Sequence, residues 1–557
     1  MISFTIGTWS SWALWIATTV ALLLGAYRFV APFIARLKPS QRNSRADGLN
    51  VIYDPSGNND IVEPQFEIVA VHGLGAHPEH TWEGKAIEKD KPRVHLLRHL
   101  LPRAFPEARI VSFSYNSDWL VDAPEKTAQQ IGHRLAESLA KHRGQALRLP
   151  IIFIGHSFGG IVIKKALCEL GRSSSMLEDT CGIIFPGTPH QGSSLSIAAS
   201  LLGKLTALLG SNTALLLSLQ SNHSQLSDLE DEFRRVAAGK QITSFYETKP
   251  TFYKGLSIGC IVNRESARGF SKDPISVDTD HAGLNKFSGP DHPGFREIRT
   301  VIQKLRAKLL IKQADDVLLE KHYRSENLRI ERLSGEELSM DRCYINLAIV
   351  QQVQAKTPSQ DAWVATEKAP KSSPFSLLAR LRVETLADHN QVHLKDLFSQ
   401  HKRSDGLEVF PRRILIRGRA GVGKTTLCKR MVHDCVNGGM WRDLFDRVLW
   451  VPLRNLKERP APGYNLERLF FDEFFRHGDR PGKLFAEETS KALKDNRTLL
   501  ILYGWDEVNQ IATANSDMSR FLRNELLRQP NIIITSRPSA SVPVQDQPID
   551  LELETPT

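Results

Sequence analysis

A chain of 557 residues is too long for one compact core, so two domains with connecting segments are expected. A hydrophobic fraction of 41% and a charged fraction of 24% exclude a disordered or collagen-like polymer, and no repeat period runs along the chain. The net charge of +10 is spread out without a zinc-finger, ribonucleoprotein or basic-zipper pattern, which argues for a solvated basic surface and against a nucleic-acid partner. The six cysteines, Cys168, Cys181, Cys260, Cys343, Cys428 and Cys435, form no C-x-x-C pair, as expected of reduced thiols in a cytosol-facing protein.

The first predicted element is a transmembrane helix within residues 1–35. No charged side chain occurs from Ile2 to Tyr27, and Trp12 to Leu24 is dense in apolar residues, enough to span a bilayer. Trp9, Trp12 and Trp15 at one end and Tyr27 at the other suit the headgroup level. Arg28, Arg36, Lys38, Arg42 and Arg45 follow, so the positive-inside rule keeps that flank in the cytosol and makes the chain a single-pass membrane protein. A cleaved signal peptide would want basic residues before the apolar run and a small-x-small site after it, and neither is evident. A buried helix of the soluble part is a further alternative.

Residues 50–310 alternate short apolar runs with helical stretches, the pattern of an α/β fold with a doubly wound parallel sheet. Phe66 to Val71, Ile110 to Tyr115, Ile151 to Ile154 and Gly182 to Phe185 read as strands, and Ile131, Leu135 and Leu139 recur at helical spacing. The third strand runs into Gly155-His156-Ser157-Phe158-Gly159-Gly160, and a helix-like run from Ile161 to Leu170 follows. A serine on so sharp a strand-to-helix turn needs glycines beside it, and the turn exposes the Ser157 hydroxyl as a nucleophile. His72-Gly73-Leu74-Gly75 ends an earlier strand, where this arrangement places a second oxyanion donor, so the N–H groups of Leu74 and Phe158 are the candidate pair.

A serine hydroxyl is a weak nucleophile until a histidine oriented by an acid accepts its proton. In the chain order serine, acid, histidine, His281 is the favoured base; His190 comes too early and His156 adjoins the nucleophile. Glu247, at the end of the strand-like Ile242 to Tyr246, is the favoured acid, with Glu265, Asp273, Asp278 and Asp280 as competitors. The insert before Glu247 is rich in leucine (Leu201, Leu202, Leu205, Leu208, Leu209), which reads either as an apolar lid over a lipid or acyl ester site or as helices packed on the sheet. With Phe185-Pro186-Gly187-Thr188-Pro189-His190 and Asp280-His281, these segments resemble the serine esterase family of α/β-hydrolases over most of residues 64–290. The resemblance implies lipase or esterase-like chemistry and, in some members, the endoplasmic reticulum or mitochondria.

Residues 311–410 carry charged helical pieces and a loop-like stretch from Pro370 to Pro374, and are expected to be a helical linker. Residues 411–557 open with the strand Arg413 to Arg417 and then Gly418-Arg419-Ala420-Gly421-Val422-Gly423-Lys424-Thr425-Thr426, which satisfies G-x-x-x-x-G-K-[ST]. Gly418, Gly421 and Gly423 let backbone N–H groups wrap phosphates, Lys424 neutralises them, Thr426 adds a hydroxyl, and Thr425 is the candidate ligand of magnesium on ATP or GTP. Thr498 to Leu502 leads to Tyr503-Gly504-Trp505-Asp506-Glu507, and Ile532 to Ile534 leads to Thr535-Ser536-Arg537. These segments resemble the Walker B and sensor segments of NACHT-type NTPases, the switch domains of NOD-like receptors, and the fusion resembles receptor-like proteins of filamentous fungi; Cys343 to Leu347 fits that resemblance too. The resemblance implies nucleotide binding through Asp506, Glu507 and Arg537 as well as the P-loop, and self-association.

Tyr503 stands where that family has its first Walker B acid, and a phenol cannot replace a carboxylate beside hydrated magnesium. Nucleotide binding without rapid turnover is therefore expected, with Glu507 the better candidate to position water. The chain stops soon after the strand-like Pro548 to Leu553, with no switch module or repeat array, so the domain is expected to be a truncated one. The leading reading is a membrane-anchored ester hydrolase controlled by a nucleotide-binding domain. Its rivals are a signalling scaffold with a non-catalytic hydrolase fold, and a peptidase or thioesterase using the same residues.

Overall fold

The computed structural model describes residues 48–57, 63–73, 79–84, 92–115, 128–145, 149–171, 174–190, 223–253, 256–262, 264–269, 271, 273–324, 326–331, 335, 337–338, 340, 349–351, 391–402, 406–459, 462–476, 480–513, 516–540 and 548–555. They fall into two compact units, Met1–Arg306 and Ala307–Thr557.

The first unit is built on a seven-stranded sheet. Its strands are β1 (Gly48–Tyr53), β2 (Phe66–Val71), β3 (Ala108–Ser114), β4 (Ile151–Gly155), β5 (Thr180–Pro186), β6 (Gln241–Glu247) and β7 (Ile275–Val277), in the order β1-β3-β2-β4-β5-β6-β7. Only β1 runs antiparallel, against β3. The near-continuous apolar runs of β2 and β4 suit central parallel strands covered on both faces, and every residue in both is buried. The half-exposed GLNVIY of β1 suits an edge. Helix α1 (Ala128–Gln145) turns Ile131, Leu135 and Leu139 into the same core as Ile161, Val162 and Ala166 of α2 (Phe158–Leu170). Their close crossing needs Gly132, where a Cβ would fall 2.6 Å from that of Lys165. The chain goes from β2 out to β3 and returns to β4 on the other side of β2. The crevice beyond the carboxyl ends of β2 and β4 is the point where such a sheet changes winding direction, and ligands bind there in open α/β sheets. Helix α3 (His223–Val236) precedes β6, and α4 (Pro293–Val317) follows β7.

In the second unit, β8 (Val350–Gln351), β9 (Arg413–Arg417), β10 (Arg447–Pro452), β11 (Thr498–Tyr503), β12 (Ile532–Ser536) and β13 (Leu551–Glu554) form one sheet in the order β8-β13-β9-β12-β11-β10. All pairs are parallel except β8 with β13. Helix α5 (Lys424–Val436) follows β9 directly, and α6 (Trp505–Thr513) follows β11. The segment 311–410, expected to be a helical linker, gives this unit a sheet strand, β8, and core side chains Leu318, Tyr323, Leu328, Ile349 and Leu397.

One expectation is corrected. Among the described residues no helix is long and apolar enough to cross a membrane, so a single-pass membrane protein, with its endoplasmic-reticulum or mitochondrial placement, is not supported. The 25-residue α4 has the length, but Arg296, Arg299, Lys304, Lys308 and Lys312 recur along it. The apolar segment 1–35 and the leucine-rich insert lie outside the described residues.

Candidate functional site

Ser157 sits between β4 and α2 with φ 53° and ψ −123°, a backbone conformation that L-residues rarely adopt. The turn is held by packing that forbids side chains around it. A Cβ on Gly159 would lie 2.3 Å from the carbonyl oxygen of Val71 and 2.6 Å from that of His72, so glycine there lets α2 begin directly against the end of β2. The Ser157 N–H donates to the Pro186 carbonyl at 2.9 Å, and the Thr188 hydroxyl lies 2.9 and 3.0 Å from the carbonyls of Gly155 and Ser157.

Three buried side chains from three segments then meet in line. His281, in the 3-10 turn His281–Asn285 after β7, places Nε2 3.0 Å from Ser157 Oγ. Its Nδ1 lies 3.4 Å from both carboxylate oxygens of Glu247, the last residue of β6. Glu247 is 1% exposed and accepts a second bond from the Val262 N–H at 2.7 Å. Burial alone raises its pKa, but the His281 bond and charge and the Val262 N–H outweigh it and hold the carboxyl below its ordinary value. With Nδ1–H directed at the carboxylate, Nε2 is left as an acceptor for the serine proton. The competing carboxylates are engaged or turned elsewhere. Asp278 is exposed and pairs with Lys249, Asp280 caps its turn at the Gly283 N–H, and Glu265 and Asp273 are exposed.

Phe158 opens α2, so its N–H is among the donors that a helix leaves without an intrahelical acceptor, beside Ser157. Leu74 lies outside the described residues. The two histidines set aside on chain order have other surroundings. His156 is buried, bonds the His281 carbonyl through Nε2 at 3.3 Å, and is pushed down to about 3, first by burial and then by the neighbouring His281. His190 joins the buried Lys164 at 2.7 Å and the Ser244 hydroxyl at 2.9 Å, and Lys164 also pairs with Glu230 of α3. Two contributors went unassigned from sequence: Thr188, described above, and Gly187, where a Cβ would lie 2.8 Å from His281 Cε1. A Gly-Thr-Pro run at the end of an apolar strand was the available signal.

In the second unit Gly418 to Thr426 wraps from β9 into α5, with Gly421 and Gly423 at φ 80° and 95°. This left-handed backbone is a conformation in which successive N–H groups can line an anion cradle. Lys424 Nζ donates to the carbonyls of Gly418 and Arg419 at 2.7 and 2.8 Å. Burial lowers its pKa, against the pull of Asp506. β12 lies between the P-loop strand and β11, and brings Arg537 to Asp506: the Arg537 N–H donates to that carboxylate at 3.1 Å and its Nε lies 3.0 Å away. Glu507 stands in the first turn of α6, and Thr426 is half-buried in that of α5. Thr425 donates its hydroxyl to the phenol oxygen of Tyr503.

Residues 412–553 match the family model of the NACHT domain. The chain thus joins a hydrolase-like α/β unit to a NACHT domain. It is 29% identical over 259 residues to Protein SERAC1 of Mus musculus, a match covering 43% of this chain and 38% of that protein. It is 22% identical over 238 residues to NACHT, LRR and PYD domains-containing protein 3 of Homo sapiens, covering 39% of this chain and 20% of that protein. The chain therefore spans well under half the length of these curated relatives. Among solved structures, the lipase BlEst2 of Bacillus licheniformis aligns with a TM-score of 0.33 and 18% identity over 47% of this chain and 99% of that one.

Proposed function

We propose that the protein is a serine hydrolase of acyl esters whose activity is governed by the nucleotide bound to its NACHT domain. One observation carries the reading: the buried line Ser157, His281, Glu247, at 3.0 and 3.4 Å, on a serine held at positive φ. In this reading Ser157 Oγ attacks the acyl carbonyl carbon while His281 Nε2 takes its proton. The proton passes to the departing alcohol, and water, activated by the same nitrogen, releases the acid and restores the serine. Glu247 keeps the His281 tautomer and stabilises the imidazolium. The N–H groups of Phe158 and Leu74 receive the oxyanion.

Gly421, Gly423 and Lys424 would hold the phosphates of ATP or GTP, with Asp506, Glu507 and Arg537 beyond them, and self-association through the NACHT domain would report the bound state. The test is a fluorophosphonate probe on the purified chain, followed by hydrolysis of esters of graded acyl length. Labelling that is lost in Ser157→Ala supports the reading. If the wild type does not label and Ser157→Ala changes no activity, the hydrolase fold serves a scaffold instead.

A further inference from the structure

The magnesium ion expected beside the nucleotide can be tested against the side chains that would receive it. Such an ion takes a P-loop hydroxyl, phosphate oxygens and waters that are oriented by a carboxylate, in tight octahedral geometry. Here the residues do not fit. At the last position of β11, where a carboxylate is needed to orient the metal's waters, stands the Tyr503 phenol, a bulky neutral group that accepts a 2.7 Å hydrogen bond from the Thr425 hydroxyl. The nearest acid along that strand end, Asp506, is 14% exposed and already neutralised by Arg537 through both its backbone N–H and its Nε. The phosphate cradle itself, by contrast, is formed by Gly421, Gly423 and Lys424.

We infer that this NACHT domain binds its nucleoside polyphosphate without a divalent cation, Tyr503 occupying the place of the metal's carboxylate partner. The inference rests on the proposed nucleotide binding, and deepens it: the state of the switch follows nucleotide concentration and is insensitive to magnesium. It predicts slow turnover without loss of affinity.

The experiment is a titration of the purified full chain with fluorescently labelled ATP, in magnesium and again in EDTA. Wild-type affinity should agree within about twofold between the two buffers, and Tyr503→Asp should bind about tenfold more tightly in magnesium than in EDTA. Tyr503→Glu, which also places a carboxylate at the end of β11, serves if the aspartate variant does not fold; a magnesium-dependent gain of a few-fold is expected there. A wild-type affinity that falls about tenfold in EDTA overturns the inference, as does a folded Tyr503→Asp or Tyr503→Glu variant as indifferent to magnesium as the wild type. Lys424→Ala separates the two levels: if it binds as well as the wild type in both buffers, or if nothing binds, the nucleotide reading itself fails.

Discussion

Thr425 gives its hydroxyl proton to the phenol of Tyr503, the residue that ends β11 where a carboxylate beside magnesium is expected. Phosphate release should therefore be slow in the wild-type chain. Tyr503→Asp should raise it in magnesium, because an acid at the end of β11 would orient the metal's waters while Glu507 positions the attacking one. Phosphate release assayed with and without magnesium checks this. No gain in the variant would place the block elsewhere than at Tyr503.

The carboxylate at Glu247 is the second test. Glu247→Gln preserves volume and the contact with Val262 but removes the charge that stabilises an imidazolium at His281. Ester turnover should drop by about 10⁴-fold in kcat, with KM little changed, as when the acid of a comparable triad is made neutral. Equivalent substitutions at the exposed Asp278, which pairs with Lys249, or the exposed Glu265 should leave kcat within about twofold of wild type, a much smaller change than at the acid.

How much of this was legible in the sequence depended on how local each feature is. The elbow is six consecutive residues between an apolar strand and a helical run, so strand, turn and helix could be read from Ile151 to Leu170 without the fold, although the contacts that require Gly159 come from Val71 and His72. The P-loop is equally local. Glu247 stood among five carboxylates, because what distinguishes it is burial beside His281, thirty-four residues later in the chain, and not its neighbours. Gly187 and Thr188 belong to the same class: their partners, His281 and the elbow carbonyls, come from distant segments of the chain. The edge strand β1, with half-exposed residues, carried too weak a periodicity to be read, and β10, an apolar run opened by the charged Arg447, was not singled out. Arg447 belongs in its strand because Asp315 of α4 pairs with it, a contact no window of sequence contains. The apolar run at 1–35 shows the reverse: hydropathy alone suggested a membrane span.

Packing at the elbow makes a third prediction. Gly159→Ala forces a Cβ to 2.3 Å from the Val71 carbonyl, and backbone cannot rotate away as a side chain can. The variant should lose about 1–3 kcal/mol or fail to fold. Gly144→Ala, in α1 with nothing within 4 Å of its added Cβ, is the control and should be neutral or stabilising by up to about 1 kcal/mol. Urea denaturation of the two variants measures the difference, and equal midpoints would contradict the tight approach of α2 to β2.

Acid stability follows from the two buried histidines. His156 is pushed down to about 3 by burial and by His281, with Nδ1 meeting no partner among the described residues, and His190 is held well below its ordinary value by burial and then by Lys164. Both stay neutral in the folded chain while their unfolded counterparts protonate near pH 6.5. Below that pH the unfolded state binds more protons than the native one, so unfolding free energy falls as pH falls, and the loss continues towards pH 3 for His156. Glu247, whose folded pKa is depressed, adds a loss in the same direction only once pH falls through the carboxylate range near 4.5. Between pH 6.5 and 5 the histidines therefore dominate among these groups. His156→Gln, which cannot titrate, should show a shallower decline of the urea midpoint across that window than the wild type. Identical slopes for the two chains would mean that His156 takes up its proton in the folded state as readily as in water.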